Sequence, residues 1–440
     1  MQASAPDVTV HAPAALPSRR AAVAWAFYDW ANSAFSVTVI SAFFPILLKQ
    51  YWSTGADATT STFQLGVANA AGSVVIALLS PLLGAMADRG GRRKRYLLLF
   101  ACMGIVMTGA LQFVARGEWA LAILLYSLAQ IGFSGSIQFY DALLVNVARE
   151  PDYHRVSALG FALGYLGGGL LFTLDVAMML QPQAFGLADA TQAARVAFGT
   201  VAVWWALFTV PLLLFVREPR QRAAASLLAA VADSLRELAS TLHAIRKLRP
   251  LVIFLAAYWL YIDGVGTIAR MALDYGMALG FDQTSLILAL LITQFVGFPA
   301  AIAFGALGTR IGAKPGIGIG IAVYVGVTVY CYFMRSTYEF YVLACIVGLV
   351  QGGVQSLSRS LFAQMVPLRR AGEFFGFYNM LGKFAAVLGP LLIGVVAITT
   401  GSSRLAVLAV VVLFVAGGVL LTRVDEQEGR RVAAERNALR

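Results

Sequence analysis

Eight ionisable residues stand inside long apolar stretches of this 440-residue chain: Asp29, Asp141, Asp175, Asp263, Asp274, Arg270, Arg359 and Lys383. A charge in a lipid interior costs about 2.5–3.5 kcal/mol on insertion scales, so each needs a partner, a polar cavity or a proton. Two chemistries fit. A carboxylate can take up and release a proton as its burial and neighbouring charges change. An acid and a base on facing helices can instead lock as a structural ion pair, and Asp263 with Lys383 or Asp141 with Arg359 are such pairings. Asp29 and Asp263 are the candidates for a titrating acid. For Asp141 and Asp175 the ion pair is the expectation. Uncharged groups accompany them: Tyr28, Trp30, Asn32, Ser33, Gln138, Tyr140, Gln351, Gln355, Ser356, Tyr378 and Asn379. These can hydrogen-bond a small polar solute that has shed its water, or one another across helices.

The sequence contains no nucleophile–base constellation, no metal-ligand cluster and no Gly-x-x-x-x-Gly-Lys-Ser/Thr phosphate loop. An enzyme or an ATP-driven pump is therefore not expected, nor a cofactor. The three cysteines, Cys102, Cys331 and Cys345, fall in apolar runs without disulfide or metal spacing. The three histidines, His11, His154 and His243, are read as lying outside the apolar spans.

The elements that must position these residues follow from composition. Hydrophobic residues make up 59% of the chain and charged residues 12%, against about 25% charged in soluble domains. Twelve apolar runs are long enough to cross a bilayer: 23–48, 64–87, 96–115, 119–147, 156–181, 196–216, 251–279, 284–308, 316–334, 340–366, 374–400 and 405–422. The net charge of +11 is unevenly placed. Only Lys49, Arg116, Arg195, Arg335 and Arg404 fall on one side, and apart from the three cations within spans the rest fall on the other. That asymmetry is the positive-inside bias, so the chain is oriented with both termini in the cytoplasm and needs no nucleic acid to explain its charge. Residues 1–22 read as a disordered cytoplasmic tail: residues 1–20 are Ala/Pro-rich with Arg19 and Arg20 only at the end, unlike a signal peptide, whose charges precede its apolar stretch. Ala/Arg-rich composition and compact loops suggest a bacterial inner membrane.

The longest connection, 217–250, divides the spans into a bundle at 23–216 and a bundle at 251–422, with a cytoplasmic tail at 423–440. Within it Leu228, Val231, Leu235, Leu238, Leu242 and Ile245 form one apolar stripe. The stripe reads either as an amphipathic helix on the inner leaflet or as one packed on the protein's own loops. The halves repeat. Gly305 to Lys314 aligns without gaps on Gly84 to Arg93, and each copy follows the second span of its half. Parallel six-helix repeats are an architecture of secondary transporters. Gly160, Gly164, Gly167, Gly168 and Gly169 let the fifth span approach its neighbours closely.

Residues 84–95 read Gly-Ala-Met-Ala-Asp-Arg-Gly-Gly-Arg-Arg-Lys-Arg. Gly84, Asp88, Arg89, Gly91, Arg92 and Arg93 resemble the loop between helices 2 and 3 of the major facilitator superfamily. The run from Trp25 to Phe35, with Phe139 to Leu144, Gln355 to Ala363 and Glu373 to Asn379, is similar to the superfamily's vacuole-effluxer-like branch. The resemblance implies an all-α membrane protein of twelve transmembrane helices in two pseudo-symmetric six-helix bundles. It implies transport by alternating access, with helices 1, 4, 7 and 10 lining a central cavity and helices 3, 6, 9 and 12 facing lipid. Asp88 is then expected to stabilise the outward-open state from beside the start of helix 11. Glu373 stands there too, and either repels Asp88 or shares Arg92 and Arg93 with it.

The expected function is secondary transport of a small polar metabolite, coupled to protons, with amino-acid efflux as one form. The expected site is Tyr28, Asp29, Trp30, Asn32, Tyr140, Asp141, Asp263, Gln355, Arg359, Asn379 and Lys383. The partners are a small solute, protons and the bilayer, and the chain is expected to be a monomer. The alternatives are export of a lipid or amphiphile by the same fold, and a non-transporting receptor or assembly protein.

Overall fold

The computed structural model describes residues 18–54, 58–218 and 248–438. Among the described residues, twelve helical spans are long and apolar enough to cross a membrane. They are α1 Arg19–Trp52, α2 Ala58–Gly90, α3 Arg93–Leu111, α4 Trp119–Ala142, α5 Tyr153–Leu180 and α6 Ala190–Phe215. The second set is α7 Arg249–Ala278, α8 Gln283–Ile311, α9 Ala313–Phe333, α10 Thr337–Gln364, α11 Ala371–Thr400 and α12 Arg404–Thr422. All twelve expected runs are present, with ends shifted by a few residues.

Local chemistry sets the helix ends. On the side away from the basic turns, Asp189 accepts from the Gln192 N–H at 2.7 Å and Asp282 from that of Ser285 at 2.9 Å. Ser336 and Glu339 form a reciprocal capping box at the start of α10. These caps satisfy donors that the first turn leaves free. On the other side, α2 turns into α3 at Gly91 (φ 55°) and α8 into α9 at Gly312 (φ 91°). Only glycine takes that backbone cheaply, so both sequence repeats turn on a glycine.

Helix pairing repeats six helices later. α1 packs on α5 and α6, and α7 on α11 and α12. α4 packs on α2 and α3, and α10 on α8 and α9. The result is two pseudo-symmetric six-helix bundles. α3, α6, α9 and α12 show apolar rows to the outside, among them Leu99, Val106, Val203, Leu207, Phe333, Val412 and Val419. A hydrocarbon solvent suits such rows. Between the bundles, α2 packs on α11, and α5 on α8 and α10.

The structure corrects several expectations. His154 is inside α5, one residue from its start, and is buried. The helix begins before the apolar run does, because bundle packing extends beyond the lipid-facing stretch. Asp175 is fully buried but has no cation at ion-pair distance among the described residues. It accepts instead from the hydroxyls of Thr38 (3.3 Å) and Thr200 (2.8 Å) on α1 and α6. The tail after α12 holds a further helix, α13 Glu426–Ala438. It docks with Ala433 buried and with Asn437 accepting the Leu368 N–H at 3.1 Å. The amphipathic stripe in 217–250 and nearly all of the N-terminal tail lie outside the described residues.

Candidate functional site

Five helices bring side chains to one point between the bundles. Asp29 comes from α1, Tyr140 and Asp141 from α4, Ser157 from α5, Arg359 from α10 and Asn379 from α11. The buried Arg359 guanidinium is bonded on several sides. Nη1 lies 3.0 Å from Asp141 Oδ1 and 3.6 Å from Asp29 Oδ2. Nε donates to the Ser157 hydroxyl (2.9 Å) and Nη2 to the Ser157 carbonyl (2.8 Å). The rings of Phe161, Trp25 and Tyr140 stand 4.4, 4.9 and 5.2 Å from its Cζ, within cation–π range. Tyr140 donates to Asp29 Oδ2 at 2.8 Å, and Asn379 to Asp141 Oδ2 at 3.1 Å.

The glycine run of α5 makes this convergence possible. A Cβ on Gly160 would stand 2.5 Å from the Tyr140 hydroxyl, 2.8 Å from Asp29 Oδ2 and 3.0 Å from Arg359 Nη2. Trp25 completes the frame by stacking on Tyr140 at 4.2 Å and donating to its carbonyl at 2.8 Å. Two carboxylates around one guanidinium leave one negative charge over, which a proton or a cation can meet.

Nearer the basic turn a second contact joins the bundles. Asp88 is buried at the end of α2. It accepts the N–H groups of Gly372 (3.0 Å) and Glu373 (2.9 Å) in the first turn of α11. A carboxylate suits a helix N-terminus, where donors are free and the dipole is positive. A Cβ on Gly84 would collide with the Gly372 carbonyl, so the approach of α2 to α11 requires glycine there. Arg93 Nε lies 2.6 Å from Asp88 Oδ1, and its other nitrogens reach Asn146 and the carbonyls of Leu368 and Arg369. The expected sharing of Arg92 and Arg93 by two acids does not occur. Arg92 is exposed, and Glu373 pairs with Arg370 at 2.9 Å. Arg89 lies half-buried in the last turn of α2, and Gly91 makes the turn itself.

In the second repeat, Lys314 takes the part of Lys94 rather than of Arg93. Lys94 donates through Nζ to the carbonyls of Leu213 and Val216 at the end of α6. Lys314 donates through Nζ to Thr422 and Val424 at the end of α12. The backbone N–H of Lys94 meets Glu218 and that of Lys314 meets Glu426. The gap-free alignment is thus one residue out of structural register after the glycine.

The third group is deeper. Asp263 is buried in α7 and accepts the Gly389 N–H at 2.8 Å and the Thr267 hydroxyl at 3.3 Å. The expected pair of Asp263 with Lys383 is not formed. Equal depth does not fix direction, and Lys383 points from α11 toward α4, with Nζ 6.0 Å from the Phe133 ring centre. Arg270 lies two turns along α7 from Asp263 and folds back over Gly266.

The other expected residues divide. Tyr28 packs on Tyr140 with ring centres 5.3 Å apart, beside the cluster. Asn32 is buried one turn along α1, and Gln355 is half-buried one turn from Arg359. Trp30 points the other way. It stacks on Trp204 at 5.7 Å and packs on Phe208 at 5.7 Å, which assigns it to α1–α6 packing and not to the space between bundles. Sequence reasoning missed Ser157, and missed His154, whose Nδ1 lies 2.7 Å from the Ser360 hydroxyl across the bundles. The glycine run in α5 was the available signal, because a helix that packs so closely brings its own polar groups into the interface.

Residues 54–434 match the family described as vacuole effluxer Atg22 like. The chain is 42% identical to the uncharacterized MFS-type transporter YxiO of Bacillus subtilis (strain 168), over 94% of this chain and 97% of that protein. It is 22% identical to autophagy-related protein 22 of Gibberella zeae, over 95% of this chain and 81% of that one. Among solved structures it resembles the human organic anion transporter MFSD10 (TM-score 0.70, 18% identity, 92% of this chain and 100% of that one). It also resembles the proton:xylose symporter XylE (TM-score 0.69, 11% identity, 93% and 96%). At those identities the likeness is one of fold.

Proposed function

Since the chain belongs to the Atg22-like vacuole effluxer family of major facilitator transporters, we propose that it carries a small polar solute through the space between its bundles, coupled to protons. Its termini face the cytoplasm, the membrane is a bacterial inner membrane, and it works as a monomer. The observation that carries this reading is Arg359 of one bundle held by Asp141, Asp29 and Ser157 of the other. In alternating access such a cross-bundle cluster closes one side, and its release opens that side. With Asp88 seated on α11, the closed side is the one bearing the basic turns, so this is an outward-facing arrangement. A proton reaching Asp29 or Asp141 removes the charge that holds Arg359 and frees the bundles to part. Amino acids are the first solutes to try.

The test is uptake of a labelled amino-acid mixture into proteoliposomes, with and without a pH gradient, comparing wild type with Asp29→Asn. Gradient-driven uptake that the variant loses is the expected result. Uptake that ignores the gradient in both proteins would remove proton coupling. No uptake by wild type would remove amino acids as substrates.

A further inference from the structure

Asp175 takes no part in the transport reading, yet it is an acid without a counter-charge. It is fully buried near the end of α5, on the side away from the basic turns. Among the described residues its polar partners are two hydroxyls, Thr38 Oγ at 3.3 Å from Oδ2 and Thr200 Oγ at 2.8 Å from Oδ1. No charged group acts on it. The helices packed on α5 explain why. α1 has no ionisable residue between Asp29 and Lys49, α6 none between Arg195 and Arg217, and α8 none between Asp282 and Arg310. α10 has only Tyr341 and Cys345 between Glu339 and Arg359. α5 itself adds Tyr165, whose ring lies against Gly297 and Gly352. Arg195, five residues before Thr200, turns its guanidinium to the Gln112 carbonyl and the Tyr51 hydroxyl. The Lys and Arg outside the described residues fall in 219–247 and at 440.

The hydrogens decide the state of this acid. Thr200 Oγ lies 2.8 Å from Asp175 Oδ1 and 2.8 Å from the Ala197 carbonyl, and a hydroxyl has one hydrogen to give. With Asp175 ionised, Thr200 serves one of these oxygens and is pressed against the other. With a proton on Oδ1, the acid donates to Thr200 and Thr200 donates to Ala197, so both contacts are hydrogen bonds. The proton also removes a charge that nothing nearby meets. Thr38 stands on a stretch of α1, Phe35–Phe43, that is wound as a π-helix, a rare winding found often at functional sites. Thr200 is half-buried and lines a groove of about 580 Å³ between α3 and α6. Its hydroxyl therefore joins the buried acid to the outer face of the bundle.

We propose that Asp175, Thr38 and Thr200 form a proton-binding site separate from the Arg359 cluster. It exchanges its proton through Thr200 and the groove, and when filled it ties the π-wound part of α1 to α5 and α6. The inference goes beyond the transport reading and does not rest on it.

Infrared spectra of the full chain in nanodiscs test the site. The carbonyl band of a protonated carboxylic acid is expected at neutral pH, shifted in D2O, retained in Asp29→Asn and absent from Asp175→Asn. Thr200→Val keeps the acid and is expected to shift the band by removing its acceptor, so the site stays testable if Asp175→Asn fails to fold. No band at neutral pH, a band retained in Asp175→Asn, or one unmoved by Thr200→Val overturns the proposal. A band that ignores D2O overturns the exchange route. A band that fades when sodium replaces choline at fixed pH makes this a sodium site and overturns the proton. Stability gives a second readout. A folded chain that holds one proton which the unfolded chain has released loses about tenfold in its folding constant per pH unit. The melting temperature of wild type is therefore expected to fall against that of Asp175→Asn as pH rises from about 4 toward neutral. Parallel melting curves overturn the site whatever the uptake experiment shows. Failed uptake with diverging curves sinks the choice of solute and leaves the site standing.

Discussion

Arg359 and Asp141 stand 3.0 Å apart in different bundles, both buried, and each has a second partner waiting: Asp29 for the arginine and Asn379 for the aspartate. The pair therefore belongs to a network and not to a single bond. Arg359→Gln leaves two carboxylates buried without their cation, which costs about 3–5 kcal/mol when a buried pair is broken from one side. Thermal unfolding in detergent is expected to fall accordingly, and adding Asp141→Asn to recover part of the loss. Strictly additive losses would show that the two residues are not coupled.

Asp88 ties the end of α2 to the first turn of α11 through two backbone N–H groups and to Arg93 through a 2.6 Å ion pair. Asp88→Asn keeps the shape, removes the charge and turns an amide toward donors. The closed arrangement is expected to lose about 1.5–3 kcal/mol, the range for a hydrogen bond to a charged group. Transport weakens and the fold persists. Spin labels on α2 and α11 near the basic turn would report a wider distance distribution; normal flux with an unchanged distribution would remove the latch.

Gly160 separates packing from charge. Its Cβ would press on Tyr140, Asp29 and Arg359 together, whereas a Cβ on Gly318 of α9 meets nothing within 4 Å. Gly160→Ala is expected to abolish transport while every charged residue remains. Gly318→Ala is expected to be neutral, or to stabilise by up to about 1 kcal/mol through helix propensity. Equal behaviour of the two variants in one flux assay would mean that α5 does not need its close approach.

How much of this was legible beforehand depends on the kind of information. Spans, repeat and intramembrane charges follow from hydropathy and cost, and they reappear in the structure. Depth allows the Asp141–Arg359 and Asp263–Lys383 pairs alike, and the two do not compete. Only the first is formed, because depth says nothing about rotation and each helix residue turns about 100° from the last. Trp30 failed for the same reason: one position from Asp29, it is turned about 100° away, onto Trp204 and Phe208. The seat of Asp88 on α11 came from resemblance, since nothing in residues 84–95 names its partner. Ser157 was hidden because a serine beside a glycine run reads as packing until the facing arginine is seen.

The lysine clamps offer the last prediction. Lys94 and Lys314 each bind the final carbonyls of the sixth helix in their bundle, where a cation suits the negative end of the dipole. Lys94→Met and Lys314→Met are each expected to cost about 1–3 kcal/mol, and Arg to restore part of it. Glu218, beyond the end of α6, adds a pH signature. Burial holds its carboxyl above the ordinary glutamate range, while the Lys94 N–H and the charges of Arg93 and Lys94 pull it down without cancelling the effect. A folded-state value above the unfolded one favours the protonated form. This residue's stabilisation is therefore present below the unfolded value, about 4.3, and is lost as pH rises through the folded one. Glu218→Gln should flatten the fall in melting temperature between mildly acid and neutral pH, and Lys94→Met should steepen it by removing a compensating charge. Melting curves of the three proteins across that range decide the matter. If Glu218→Gln keeps the wild-type slope, the pH dependence arises elsewhere in the chain.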